Sequence, residues 1–141
     1  MDTNETRALV ERYYEALSKG DRSAIGDTLA DDVVWEPPTG GPLEPVRRRD
    51  ALLDALVGPG ITELFDFSKP FALEVRSMIV EGDKAVVQQR LTATAKATGA
   101  PYDNQYCWIY TCADGRIAHM EEYANTLIAA RTMAWDGITF E

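Results

Sequence analysis

The feature that most limits what this chain can fold into is a change of apolar rhythm about halfway along it. Leu9, Tyr13 and Leu17 recur every fourth residue, with Val10 and Tyr14 beside them, which is the stripe of a helix with one buried face. From residue 71 the period shortens to two. Phe71, Leu73, Val75 and Ile79 keep alternate parity, the pattern of a strand with one buried face. Helices first and an antiparallel meander afterwards is the α+β arrangement. The 141 residues are enough to enclose a sizeable core, and they contain no internal repeat or linker, so a single domain over residues 1–141 is expected.

The punctuation between the periodic runs agrees. Asp2 with Glu5 three residues on resembles a capping box, and Gly20 suits the left-handed end of the first helix. Asp21 is placed to cap a short second helix through Ile25 and Leu29, finishing at Asp31-Asp32. Val33-Val34-Trp35 is β-branched and aromatic, hence a short strand. Pro37-Pro38, Gly40-Gly41 and Pro42 make residues 37–45 a loop, after which Asp50 is expected to cap a third helix over Ala51 to Val57, closed by Gly58-Pro59. Gly82-Asp83 turns into a strand around Ala85 to Ala97, which Gly99-Ala100-Pro101 ends. Asp103 to Cys112 and Arg116 to Ala124 are the last strands, joined by a tight Asp114-Gly115 hairpin turn. Leu127, Ile128 and Arg131 predict a closing helical turn or two, with a tail carrying Trp135 and Phe140. Such a sheet, strongly bent, leaves a cavity between its concave face and the helices. Its convex face then needs another cover, and a homodimer through that face is expected.

Charge narrows the partners. A formal charge of −9 and a pI near 4.6 repel phosphate backbones and anionic lipid, so neither nucleic acid nor a membrane is an expected partner. No apolar stretch is long enough to span a bilayer, and the acidic start Met1-Asp2-Thr3-Asn4-Glu5 is unlike a signal peptide, which leads to the expectation of a cytoplasmic protein. Cys107 and Cys112 fall on opposite faces of one strand, roughly 16 Å apart, beyond disulfide reach. They read as buried thiols. No nucleotide loop, nucleophile elbow or metal motif is present, so no cofactor and no metal is expected.

Several local strings occur in a telling order. They are Val10-Glu11-Arg12-Tyr13-Tyr14 followed by Gly20-Asp21, Leu29-Ala30-Asp31-Asp32-Val33-Val34-Trp35, Tyr102-Asp103-Asn104, Asp114-Gly115-Arg116-Ile117 and Glu121-Glu122-Tyr123. Together they span nearly the whole chain. In order and spacing the chain resembles the SnoaL-like and ketosteroid isomerase-like branches of the nuclear transport factor 2-like superfamily. The resemblance implies a cone: a strongly curved, mostly antiparallel mixed sheet with N-terminal helices enclosing a cavity. It says less about chemistry, because this fold hosts isomerases, cyclases, epoxide hydrolases, dehydratases and proteins with no reaction.

The resemblance also suggests site residues, each with a bland reading beside it. Tyr13 sits where ketosteroid isomerases place the tyrosine that donates to a developing enolate oxygen, or it is one more aromatic on a core stripe. The isomerase general base aligns with Pro37, one residue after Glu36, and its second aspartate aligns near Tyr106 or Cys107, so a conventional steroid isomerase is not expected. On the last strand Ala118, Met120, Glu122 and Ala124 share one face, which the resemblance turns toward the cavity. A carboxyl among Ala and Met would be desolvated, which makes Glu122 the leading proton-transfer candidate, unless it pairs with Arg90 or reaches solvent. Asp103, Gln105, Cys107 and Ile109 are expected to form a matching inward set, with Asp103 as a polarising partner and Arg90 as a possible charge partner. Turn chemistry after Pro101-Tyr102 is the plainer role for Asp103. Asn125 reads as a helix cap, His119 as structural on the outer face, Arg47-Arg48-Arg49 as a solvated run, and Trp35 as a cavity wall.

Three functions are therefore open from the sequence. The first is a small cofactor-independent enzyme that performs acid-base chemistry on an apolar or polyketide-like carbonyl or epoxide. Its catalytic residues would be Glu122, Asp103 and Tyr13, and its ligand contacts Trp35, Arg90, Gln105, Cys107 and Met120. The second is a small-ligand-binding or dimerisation module without turnover. A protein-interaction module of the nuclear-transport kind is a third.

Overall fold

The N-terminal apolar stripe becomes α1 (Thr3–Lys19) in a computed structural model that describes residues 1–135 of the chain. The capping box is formed: the Glu5 N–H donates to Asp2 Oδ1 at 2.8 Å, and the Asp2 N–H donates to Glu5 Oε2 at 3.0 Å. Gly20 ends the helix at φ 60°, where a side chain would be strained. Leu9, Val10 and Tyr13 are buried along its inner face.

Asp21 caps α2 (Arg22–Asp27) by accepting from the Ala24 N–H at 3.1 Å. This helix is shorter than expected. Leu29 does not extend it but opens β1 (Leu29–Glu36), because the Leu29 end pairs in parallel with Ile117 and both side chains are fully buried there. The Pro- and Gly-rich loop leads to the two-residue β2 (Val46–Arg47), then α3 (Arg49–Val57) and α4 (Pro59–Leu64). The residue before α3 is Arg48, at φ 79° and with no side-chain cap, so Asp50 does not cap this helix. It lies in the first turn, where a negative charge still favours the helix N-terminus.

The rest is the meander: β3 (Ala72–Glu81), β4 (Lys84–Thr94), β5 (Pro101–Ala113) and β6 (Arg116–Ala124), closed by α5 (Thr126–Thr132). Asn125 caps α5, its side chain accepting from the Ile128 N–H at 3.2 Å. Asp114 and Gly115 both have positive φ, 53° and 76°, as a tight hairpin turn between right-twisted strands requires. Trp135 is described, whereas Phe140 lies outside the described residues.

The six strands make one mixed sheet in the order β2-β1-β6-β5-β4-β3, antiparallel except for the β1–β6 pair. It curls without closing, and α1 packs against its concave side through β3, β4 and β6, which gives the α+β cone. Cross-strand partners share a face, so one irregularity reverses every side chain beyond it. Two such shifts overturn parities expected from the sequence. One lies in β3 between Val75 and Ser77: Leu73 and Val75 pair with inward Leu91 and Gln89, whereas Ile79 pairs with Val86 on the outside and is 69% exposed. The other lies between β5 and β6, where Cys112 pairs with Ile117 but Thr111 pairs with His119, leaving Ala118 as the extra residue.

Candidate functional site

The shift at Ala118 decides which side chains face the cavity. A regular hairpin from Asp114-Gly115 would set Glu122 against Cys107. The extra residue sets it against Trp108 instead, with Met120 against Tyr110 and Ala124 against Tyr106. The inward face of β5 is therefore the even-numbered one. Tyr102, Asn104, Trp108, Tyr110 and Cys112 are buried, and burial raises the Cys112 thiol to about 11. Ile117, of opposite parity to Met120 and Glu122, is also fully buried on the inner face, because Ala118 is the extra residue between them.

The expected inward set on β5 is thus corrected. Asp103, Gln105, Cys107 and Ile109 all lie on the outer face. Asp103 holds Arg90 there in a two-point ion pair at 2.8 and 2.6 Å, and the Arg90 hydrogen bonds keep its carboxyl below the usual aspartate range. Gln105 accepts from Arg76 Nη1 at 2.9 Å. None of Asp103, Arg90, Gln105 or Cys107 borders the cavity. Met120 faces inward but is sealed in the core behind the cavity wall.

The cavity itself, about 380 Å³, lies between the concave sheet, α1 and the helices α3, α4 and α5. That volume suits a small organic molecule. Tyr13, Trp35 and Glu122, from three different elements, all border it, so the structure brings these three predicted residues together. Its wall is apolar and rich in aromatic rings: Trp35 meets Trp108 with ring centroids 6.3 Å apart, Trp108 stacks on Tyr110 at 6.0 Å, and Phe65 meets Tyr102 edge-on at 5.3 Å. The aromatic alternation at 102, 106, 108 and 110 is the sequence signal that identifies this face.

Glu122 is the one acid among the described lining residues, and no Lys, Arg or His lines the cavity with it. Burial pushes its carboxyl up to about 8, so it is mainly protonated at neutral pH. The Trp35 indole partly opposes this by favouring the anion. It falls short of formed hydrogen-bond geometry, however, and the N–H groups of Trp35 and Trp108 are both buried without a partner. The folded chain holds the Glu122 proton more tightly than the unfolded chain does. This residue therefore lowers stability as pH rises from about 4.5 towards 8, and has no such effect in more acid solution.

The tyrosines around it form a hydrogen-bonded set that the sequence reading missed. Tyr14 Oη donates to Gln89 Oε1 at 2.9 Å and shares a bond with Tyr110 Oη at 2.6 Å. Asn104 Nδ2 donates to Tyr102 Oη at 2.8 Å, and Tyr102 and Tyr106 share a short hydroxyl contact. Burial raises Tyr13, Tyr106 and Tyr110 well above the ordinary phenol value, so they remain neutral donors. Tyr13 and Tyr110 lie edge to face at 5.6 Å.

Glu36 and His119 belong to the outer surface. His119 Nε2 is 3.5 Å from Glu36 Oε1, and His119 Nδ1 is 3.7 Å from Glu121 Oε1. These three side chains could bring metal-ligand atoms within 4.8 Å of one another, but they stand away from the cavity. No helix among the described residues is long and apolar enough to cross a membrane.

A curled sheet with helices over an apolar cavity defines the class of nuclear transport factor 2-like cones. The family model of the SnoaL-like domain matches residues 10–120, and the chain belongs to that family. A nuclear transport factor 2-like protein from Burkholderia xenovorans is similar at 22% identity and a TM-score of 0.78, covering 94% of this chain and 98% of its own. A proposed SnoaL-like polyketide cyclase from Jannaschia is similar at 20% identity and a TM-score of 0.76, with 94% of each chain covered. An epoxide hydrolase of M. tuberculosis is similar at 18% identity and a TM-score of 0.68, covering 88% of this chain and 85% of its own. At these identities the likeness is one of fold. No curated protein matches the sequence.

Removing the Tyr14 hydroxyl leaves Gln89 and Tyr110 short of a partner in the core. Tyr14→Phe is expected to lower unfolding free energy by about 1–2 kcal/mol in urea titrations, with the far-UV spectrum unchanged. An unchanged midpoint would remove this network from the account.

Proposed function

We propose that the cone cavity is the active site of a small acid-base enzyme acting on an apolar, neutral molecule that carries a carbonyl or epoxide oxygen. One observation carries the reading: Glu122, whose carboxyl burial raises to about 8, is the one acid among the described residues that line an aromatic-rich cavity of ligand size. Glu122 donates its proton to the substrate oxygen as charge develops there. The carboxylate so formed recovers a proton from the attacking water, or from the carbon next to the carbonyl, and the residue ends as it began. Tyr13 is the neutral donor placed to share the developing negative charge. Isomerisation, ring closure and epoxide opening all use this step, in keeping with the names borne by the proteins similar in fold.

The second reading, binding without turnover, is favoured by the position of Asp103 on the outer face. Glu122 then has no second carboxylate across the cavity among the described residues to activate water.

A panel of apolar epoxides and ketones separates the two, with diol formation followed by chromatography and exchange of the carbon-bound proton followed by NMR in heavy water. Glu122→Gln is expected to lose at least about 100-fold in rate. The wild-type rate is expected to fall as pH rises through about 8, because the acid form disappears. Turnover that survives in Glu122→Gln rejects Glu122 as the proton donor, and binding without any turnover favours the module.

The outer face supports a homodimer. Ile79 is 69% and Tyr123 54% exposed there, in register with half-buried Val86, Ile109 and Cys107. Sedimentation velocity is expected to give a dimer for the wild type and a monomer for Ile79→Asp. A wild-type monomer would refute it.

A further inference from the structure

The cavity has an unbalanced charge pattern that the acid-base reading does not use. It places a carboxyl among aromatic rings and supplies no positive group to meet it. Residues 136–141, which lie outside the described part, contain no Lys, Arg or His. Aromatic rings present a negative face, and Trp is the strongest of them toward a cation. Nine of the lining side chains are aromatic, enough to surround a ligand on several sides. The charge of −9 also concentrates cations near the molecule.

We infer that the cavity binds an organic cation, a small aromatic or alkyl ammonium compound, whose charge is met by the Glu122 carboxylate and by the faces of the surrounding Trp and Tyr rings. An anionic ligand would find no positive group here. A bare metal ion would find one carboxylate and apolar walls in place of the six to eight oxygens that a hard cation takes. A bulky ammonium group differs from both, because its weakly hydrated alkyl surface suits the walls while its charge suits the acid. The inference rests on the cavity being a ligand site and does not require turnover there.

Binding of a permanent cation then follows the charge of Glu122. The groups facing that carboxyl are Tyr13 on α1, Trp35 on β1, and Tyr102, Tyr106, Trp108 and Tyr110 on β5. The tyrosines among them are all shifted upward by burial, so Glu122 alone titrates between pH 7 and 9.

The test compares benzyltrimethylammonium with neopentylbenzene, its neutral isostere of nearly the same shape, by calorimetric titration of the full chain. The cation is expected to bind about tenfold more tightly at pH 9 than at pH 7, and the isostere equally at both. At pH 9 the cation is expected to be the tighter ligand. Glu122→Gln should remove the cation's pH dependence and its advantage over the isostere, with an unchanged far-UV spectrum reporting that the variant is folded. An isostere that binds as tightly as the cation at pH 9, or a cation affinity flat from pH 7 to 9 in the wild type, would overturn the inference. An isostere as tight as the cation would leave the acid-base reading standing, because that reading needs only a neutral ligand, whereas a flat cation affinity leaves it standing where Glu122 of the free protein still titrates near 8.

Discussion

The register of β5 against β6 is the constraint on which the rest of this structure depends. One extra residue, Ala118, converts a pairing of Glu122 with Cys107 into a pairing with Trp108. Because side chains alternate strictly along a strand, that single step turns Met120 and Glu122 to the side on which Ile117 already lies. There they meet Tyr106, Trp108 and Tyr110, whose even-numbered face is set by unbroken pairing with buried Gln89, Val87 and Ala85 of β4, while Asp103 and Gln105 pair with arginines outside. The irregularity is what brings the acid to the aromatic wall.

Isolation is what gives Glu122 its character. Its neighbour in sequence, Glu121, lies on the outer face beside His119 and accepts from Tyr123 Oη at 3.0 Å. On the inner face the same residue type meets rings and buried tyrosine hydroxyls, and no basic side chain is among the described residues of that wall. The cost of placing a negative charge there is carried by the proton, so the group is neutral when an ordinary glutamate is charged. Substitutions in the wall act on Glu122 through dielectric and shape, while the Arg90–Asp103 pair outside is solvent-screened and matters little to it.

Local signals in the sequence were largely sufficient for the frame. Caps at Asp2, Asp21 and Asn125 and turns at Gly82 and Asp114-Gly115 each depend on a few neighbouring residues, and they read correctly. The family strings placed those elements in the right cone, and Glu122, Tyr13 and Trp35 could be named from them as residues of the cavity wall. What failed depends on pairing between distant segments. Leu29 suits a helix end by its neighbours, but its parallel ladder with β6 draws it into a strand. The shifts near Arg76 and Ala118 leave no trace in composition, so strict alternation along β3 and a regular match between the last two strands give the wrong face for Ile79 and for the Asp103 set. The aromatic residues of β5 held the correct answer, since Tyr, Tyr, Trp and Tyr occupy even positions from 102 to 110. Weighting ring size above the hairpin count would have recovered it. The Tyr14–Tyr110 bond joins residues 96 apart in sequence and had no local signal.

The account stands on a protonated, cavity-facing Glu122, and its titration measures that directly. With glutamate carboxyls labelled with carbon-13 and the Glu122 resonance assigned by its absence in Glu122→Gln, the free protein should show a midpoint near pH 8. A midpoint near 4.5, the value of a solvated glutamate, would mean that the side chain meets bulk water and is not held in the cavity wall.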